Sequence, residues 1–464
     1  MSTQDTVLAA VLAHADAQLD QSLTRLFDLI RIPSVSTETE HVADCRRAAD
    51  WLAAELAGLG FDASVRPTTG HPMVVGHGPK VAGPHVLFYG HYDVQPVDPI
   101  DLWKTPPFEP SLAPQPDGET YILGRGASDD KGQLLTFVEA CRAWKAVTGS
   151  LPIRVSMLFE GEEEAGSPSL PGFLAEHGAD VRADVMLVCD TDMWNRTTPA
   201  ITTQWRGFIS EAFEITAADR DLHSGMFGSA ARNAAHLLGK VVASLHNDDG
   251  SVAIPGFYDG VEELPEAVKR AWDSLEFDPA AFLADIGLSI PAGERDRTLL
   301  EQIWGRPTAE INGLWGGYAG AGFKAAIPAK AGAKLSLRLV PGQDPARIRQ
   351  LLRDHIAKQI PADCSVAFTA YAAATAEAMP LDGELLTRAR KALTDEWEKE
   401  TALVGTGGSI PILGAFKQQL GMDSLLIGFA RFDNRIHSPN EKYDLSSFHK
   451  GIRSWIRILA AFAA

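Results

Sequence analysis

Apolar residues recur at helical spacing between residues 6 and 30, at Val7, Val11, Leu19, Leu23, Leu26 and Ile30, until Arg31-Ile32-Pro33 ends the run. A second helix is predicted over residues 42–59, closed by Gly60. Short, continuous apolar runs follow: HVLFYG (85–90), IRVSMLFE (153–160), DVMLVCD (184–190) and SLLIGFA (424–430). Such runs fit strands buried on both faces. Helical patterns over 133–146 and 167–176 separate them, so the alternation predicts an α/β fold, an open and mostly parallel sheet flanked by helices.

The pattern changes between about 205 and 378. AKLSLRLV alternates strictly, with Ala333, Leu335, Leu337 and Leu339 on one face and Lys334, Ser336 and Arg338 on the other. That is a half-exposed strand. With amphipathic helices over 230–245 and 345–356 it predicts a smaller α+β domain, inserted into the large one because the α/β style returns after Pro380. The expected division is therefore 1–204 with 379–464, interrupted by 205–378. Residues 250–310 read as a helical insertion within the smaller domain.

Ligands of open α/β sheets bind beyond the carboxyl ends of the strands. The residues there are unusually uniform in chemistry. His91 and Asp93 follow the first run, Glu162, Glu163 and Glu164 the second and Asp190 ends the third; His437 lies in the loop after the fourth. GRGASDDKG adds Asp129 and Asp130 before a helix. Singly, these would be surface histidines, solvated loop acids or helix caps. Together, two histidines and at least five carboxylates on one sheet edge repel one another unless a cation neutralises them. Imidazole and carboxylate without thiolate suit a hydrolytic zinc or manganese site. The set divides naturally into two half-sites sharing one carboxylate, a pair able to activate water and stabilise an oxyanion, and leaves a carboxylate over as general base.

Composition narrows the alternatives. Forty-two Lys and Arg against sixty Asp and Glu give a net charge of −18, which disfavours nucleic acid and anionic membrane surfaces as partners. Cys45, Cys141, Cys189 and Cys364 are far apart, which argues against a disulfide framework and for a reducing compartment. No apolar stretch is long enough to span a membrane, and the acidic N-terminal segment lacks signal-peptide character, so a cytoplasmic protein is expected. GRGASDDKG is no dinucleotide site, since Asp129 stands where a pyrophosphate would approach. Gly407, Gly408 and Ser409 precede an apolar helical stretch, where backbone N–H groups could hold a substrate carboxylate.

Six segments in order, GHYDVQP (90–96), GRGASDDKG (124–132), FEGEEEAGS (159–167), DLHSG (221–225), GGSIP (407–411) and HSPNE (437–441), resemble the motifs of the co-catalytic zinc exopeptidases and deacylases. That family includes carnosinase-type dipeptidases, carboxypeptidase G, aminoacylase and succinyl-diaminopimelate desuccinylase, and the wording is nearest the carnosinase-like branch. The resemblance spans nearly the whole chain. It implies two divalent metal ions per subunit, zinc with manganese or cobalt as alternatives: one on His91, Asp129 and Asp190, the other on Asp129, Glu164 and His437. It implies Glu163 as general base, Asp93 as the residue orienting His91, and a cis peptide between Asp129 and Asp130. His223, in a lid and dimerisation domain, would reach the partner's active site in a homodimer, and Arg338 would bind the substrate carboxylate. The chain departs from the pattern at Ala325, where a Thr is usual, near Tyr371, where AAAT replaces a histidine, and at Gly405-Thr406, in place of Arg-Glu.

The expected activity is metal-dependent hydrolysis of the amide bond of dipeptides or small peptides. An N-acyl amino acid deacylase or carbamoylase of the same fold is the alternative, and a non-catalytic metal- or peptide-binding module is the remote one.

Overall fold

The computed structural model describes residues 3–464. By contact density these form two compact units, one of residues 3–203, 379–404 and 415–464, the other of residues 204–378 and 405–414.

In the larger unit the sheet runs in the order Asp62–Arg66, Met73–His77, Arg154–Glu160, His85–His91, Val185–Val188, Asp423–Leu426, Ala200–Trp205, and Ala402–Thr406 pairs with the last of these. Its centre is parallel: His85–His91 pairs in parallel with both Arg154–Glu160 and Val185–Val188, and Asp423–Leu426 continues the parallel run. Every residue of His85–His91 is buried, which is why that strand reads as an unbroken apolar run. Behind it Phe88 stacks on Phe137 with ring centroids 3.9 Å apart, and Trp455 meets both edge-on. This aromatic cluster joins strand His85–His91 to helices Lys131–Thr148 and Leu445–Ala463, the elements that carry or flank the site.

Two expectations are corrected here. The helix over 6–30 is two helices, Thr3–Ala17 and Leu19–Ile30, broken at Gln18, whose φ and ψ of −104° and 9° are not helical. The break lets both halves pack on Lys131–Thr148. Residues 250–310 hold only short pieces, Glu266–Asp273, Pro279–Asp285 and a π turn at Glu301–Gly305, before strand Thr308–Gly316 begins. Gly256, Gly260, Pro265, Pro279, Gly287, Pro291 and Gly293 interrupt every potential longer helix.

The smaller unit is built on an antiparallel sheet ordered Thr308–Gly316, Lys330–Leu339, Gly207–Thr216, Ser365–Ala374. Leu335, Leu337 and Leu339 enter a core with Ile209, Phe213 and Ile215, covered by Leu237, Leu238 and Val241 of helix Ala234–Ala243 and Ile348, Leu352 and Ile356 of helix Pro345–Ala357. The alternation read from AKLSLRLV is the alternation observed. Segment 405–414, expected with the larger unit, clusters with the smaller one. Arg206 explains it: its backbone N–H donates to the Gly408 carbonyl at 3.2 Å and its Nε to the Gly407 carbonyl at 3.1 Å.

All four cysteines are free. Among the described residues no helix is long and apolar enough to cross a membrane.

Candidate metal centre

Register brings the acids together. Tyr89 lies opposite Val188, and His91 opposite Glu160, in the parallel ladders. Two residues beyond Val188 therefore place Asp190 level with His91, and the turn after Glu160 delivers Glu163 and Glu164 at the same edge. His437 comes from the loop after Asp423–Leu426 with a left-handed φ of 59°, and Asp129 from the turn before helix Lys131–Thr148.

The geometry centres on Asp129. Its Oδ1 lies 3.1 Å from His91 Nε2, and its Oδ2 lies 2.9 Å from His437 Nε2. His91 Nε2 is 3.8 Å from Asp190 Oδ2, and His437 Nε2 is 3.1 Å from Glu164 Oε2. Two three-residue groups result, His91–Asp129–Asp190 and Asp129–Glu164–His437, each with its donor atoms within 4.8 Å of one another. Zinc bound tetrahedrally at 2.0–2.1 Å separates its donors by about 3.3 Å. The side chains present thus fit two cations that share Asp129.

The same residues show how much positive charge the site calls for. Burial opposes charge on His91, but hydrogen bonds to Asp129 and Asp93 hold its pKa well above the ordinary value. Hydrogen bonds to Asp129 and Glu164 raise His437 to about 10. Burial, then repulsion from Asp129, pushes Asp190 up to about 7. Asp129 goes the other way: burial would raise it, yet the hydrogen bonds of His437 and His91 keep it ionised. Burial, reinforced by Asp190, Glu164 and Asp129 and opposed by His91, pushes Glu163 up to about 8.

Supporting side chains fix these positions. Asp93 is fully buried; its carboxylate accepts the N–H groups of Glu163 at 3.3 Å and Glu164 at 3.1 Å, and its Oδ1 lies 3.3 Å from His91 Nδ1. His91 Nδ1 also faces the Asp93 carbonyl at 3.1 Å, which favours the proton on Nδ1 and leaves Nε2 as the metal-binding nitrogen. Asp130, joined to Asp129 by a cis peptide, accepts the His91 N–H at 3.1 Å instead of capping its helix. Gly132 opens that helix where a Cβ would stand 1.9 Å from the Ala127 carbonyl, so the last glycine of GRGASDDKG is a packing requirement.

Two further residues had no role in the sequence reading. Glu441 is buried and gathers the N–H groups of Gly126, Ser128 and Asp129 at 2.9, 2.9 and 3.1 Å, with Arg125 Nη1 at 2.8 Å. Gln95 donates to Glu164 Oε2 at 2.7 Å. Both lie inside quoted motifs, HSPNE and GHYDVQP, and that was the available signal.

The remaining candidates belong to the smaller unit. Arg338 Nη1 donates to Ser409 Oγ at 2.8 Å, uniting the strand residue with the glycine-rich turn. The N–H of Gly408 donates to Thr406 Oγ1 at 3.1 Å, so that group is engaged within the turn. His223 is exposed; its Nδ1 accepts the Gly225 N–H at 3.1 Å, and it joins neither cluster.

The profile of Peptidase family M20/M25/M40 matches residues 87–461. The chain belongs to that family. As an M20/M25/M40 member it is 32% identical to the Cys-Gly metallodipeptidase DUG1 of Candida albicans, over 93% of this chain and 92% of that one. The di-peptidase Dug1p of Saccharomyces cerevisiae superposes with a TM-score of 0.78 at 28% identity, covering 98% of both chains. Human carnosine dipeptidase 1 superposes with a TM-score of 0.77 at 25% identity, over 98% of this chain and 99% of that one.

Proposed function

We propose that this protein is a cytoplasmic, homodimeric dipeptidase that uses two divalent metal ions per subunit, zinc in preference to manganese or cobalt, to hydrolyse the amide bond of dipeptides. The observation that carries the reading is the pair of donor groups sharing Asp129, with Glu163 beside them and outside both. Family membership and the named activities of the relatives support it.

His91, Asp129 and Asp190 would hold one ion, Asp129, Glu164 and His437 the other. Bound there, the ions supply Lewis acidity that makes water nucleophilic near neutral pH and offsets charge developing on the scissile carbonyl oxygen. Glu163 takes the proton of the attacking water on a carboxylate oxygen and delivers it to the leaving amine. Asp93 keeps the Nδ1 proton of His91 in place and holds the Glu163–Glu164 turn by its backbone. Arg338, with Ser409 and the turn of Gly407 and Gly408, receives the substrate's carboxylate. His223 of the partner subunit donates to the oxyanion. The protein's net charge of −18 suits a small-molecule substrate and no nucleic acid or membrane partner.

The test is turnover by metal-depleted and metal-restored protein on dipeptides and matching N-acetyl and N-carbamoyl amino acids. Chelation should abolish dipeptide cleavage and zinc, manganese or cobalt restore it. Cleavage of the acylated series in preference to dipeptides would instead assign a deacylase or carbamoylase.

A further inference from the structure

Within the larger unit, His437 marks where the metal centre opens. Its side chain is 54% exposed, against 8% for Asp129 and 3% for Glu164, the other donors of its group. The loop that carries it is pinned on both sides. Asn434, fully buried, accepts the Arg431 N–H at 2.6 Å and the Ser128 hydroxyl at 3.1 Å and donates to Asp444 at 2.8 Å. Asn440 accepts the Lys104 N–H at 2.7 Å and donates to the Leu102 carbonyl at 2.8 Å. Between these anchors Arg435 and His437 both have left-handed backbones, with φ of 57° and 59°, and the Ser438 N–H closes the turn on the Arg435 carbonyl at 3.0 Å.

The conformation of His437 is explained by its task, since it delivers Nε2 to Asp129 and Glu164. Nothing in the fold explains Arg435 in the same way. Glycine adopts this region freely and other L residues at a cost, so a glycine would form the turn with less strain. The chain carries a long, permanently charged side chain there instead. It is exposed, and among the described residues its guanidinium has no hydrogen-bond or ion-pair partner. The cations around it are all engaged, Arg125 with Glu441 at 2.8 Å, Arg431 with Asp444 at 2.7 Å and Lys442 with Asp444 at 3.1 Å. Two residues of chain span about 7 Å at most, so the Arg435 backbone stays close to the exposed metal ligand. Strain held between firm anchors beside a reactive centre, on a residue whose planar donors are free, is the mark of a group kept for a ligand, and the ligand that matches a guanidinium is a carboxylate.

We propose that Arg435 is a specificity-determining residue at the mouth of the metal centre: it receives a side-chain carboxylate of the substrate and so favours dipeptides that contain Glu or Asp. The assignment rests on the dipeptidase reading and adds the substrate class.

The test compares kcat/KM for Glu-Ala against Gln-Ala and for Ala-Glu against Ala-Gln, so that charge is the variable and the responding pair identifies which substrate residue carries the carboxylate. Wild type should favour the acidic member of one pair by about 5-fold, the upper worth of an exposed ion pair, chiefly through KM and less so as salt is raised. Arg435→Gln should bring that ratio to one and Arg435→Lys should keep part of it. Arg435→Gly separates recognition from folding: it should erase the ratio without lowering the melting temperature, because the left-handed backbone is relaxed. A lowered melting temperature would make the side chain a support of the loop and overturn the assignment. Ratios near one for both pairs in the wild type, or a ratio that survives in Arg435→Gln, overturn it too while leaving the dipeptidase reading standing. Absence of any dipeptide turnover overturns that reading instead, and calorimetric titration of the zinc-loaded protein then decides Arg435 by itself. Glutarate should bind about 5-fold tighter than its monoamide to the wild type and equally well to Arg435→Gln. Equal binding of the two to the wild type overturns the assignment.

Discussion

Glu163 and Glu164 are neighbours in sequence with opposite tasks, and the task follows from which atoms each carboxylate meets. Glu164 lies 3.1 Å from His437 Nε2 and is tethered by Gln95, whereas Glu163 belongs to neither donor group. Glu163→Gln should therefore lower kcat by at least about 100-fold, the usual worth of a general base, with both metals retained. Glu164→Gln and His437→Ala should lose metal as well as activity, and metal content of the purified proteins reads the difference; equal depletion in all three would erase the assignment. The protonation pattern gives a second outcome. Without cations the imidazole of His437 titrates near pH 10, and Asp190 and Glu163 near 7 and 8, so at neutral pH the site holds protons that metal ions must displace. Affinity should then fall as pH falls, by about tenfold per unit for each proton released. Calorimetry in buffers of different ionisation enthalpy counts those protons. His91, Glu164 and Asp190 were legible in the sequence because each ends or closely follows an apolar run whose strand character is plain, Asp129 because it precedes a clear helical pattern and His437 because it lies in the loop after the last run; Glu441 was not, because its partners are backbone N–H groups that converge only once the Gly126–Asp129 turn exists.

At the scale of elements, the central strands and the helix after Asp130 were readable from the length of their apolar runs, short for the strands and long for the helix, since elements buried all round carry no hydrophobic period. The break at Gln18 was not, since apolar spacing continues across it and both helices pack on Lys131–Thr148. Residues 250–310 failed for a different reason: glycine and proline spacing, more than hydrophobic period, sets what forms there. The turn that presents Asp129 depends on one buried pair, Glu441 with Arg125, the latter only 2% exposed. Glu441→Ala strands that guanidinium and three N–H groups. It should cost about 3–5 kcal/mol, the range for breaking a buried ion pair, measurable by urea unfolding of the metal-free protein. Metal affinity should fall by about 10- to 100-fold even though Glu441 is no ligand. Glu441→Gln keeps an acceptor for the turn and should recover part of both losses. A loss of stability with unaltered metal affinity would separate the turn from the site.

The whole molecule poses the question of which chain completes which active site. The inserted organisation was visible as a change from buried runs to strict alternation, while the allegiance of residues 405–414 was not, because it is set by Arg206 reaching two carbonyls 200 residues away in sequence. His223 carries the oligomeric prediction: it is exposed and sits outside the acidic cluster of its own chain's larger unit. If it works on the partner, catalysis requires the dimer, and mixing Glu163→Gln with His223→Ala subunits should regenerate one competent site per heterodimer, whereas under cis action each of the two sites keeps one defect. Placing both substitutions in one subunit and pairing it with wild type inverts the outcome. The doubly substituted chain then has a dead site for want of Glu163, and under trans action it also fails to supply His223 to the wild-type site, so both sites are damaged. Under cis action the wild-type site is untouched. Affinity-tagged heterodimers should accordingly show activity far below half that of the wild-type dimer, whereas activity near one half would place His223 within its own chain's chemistry or outside catalysis altogether.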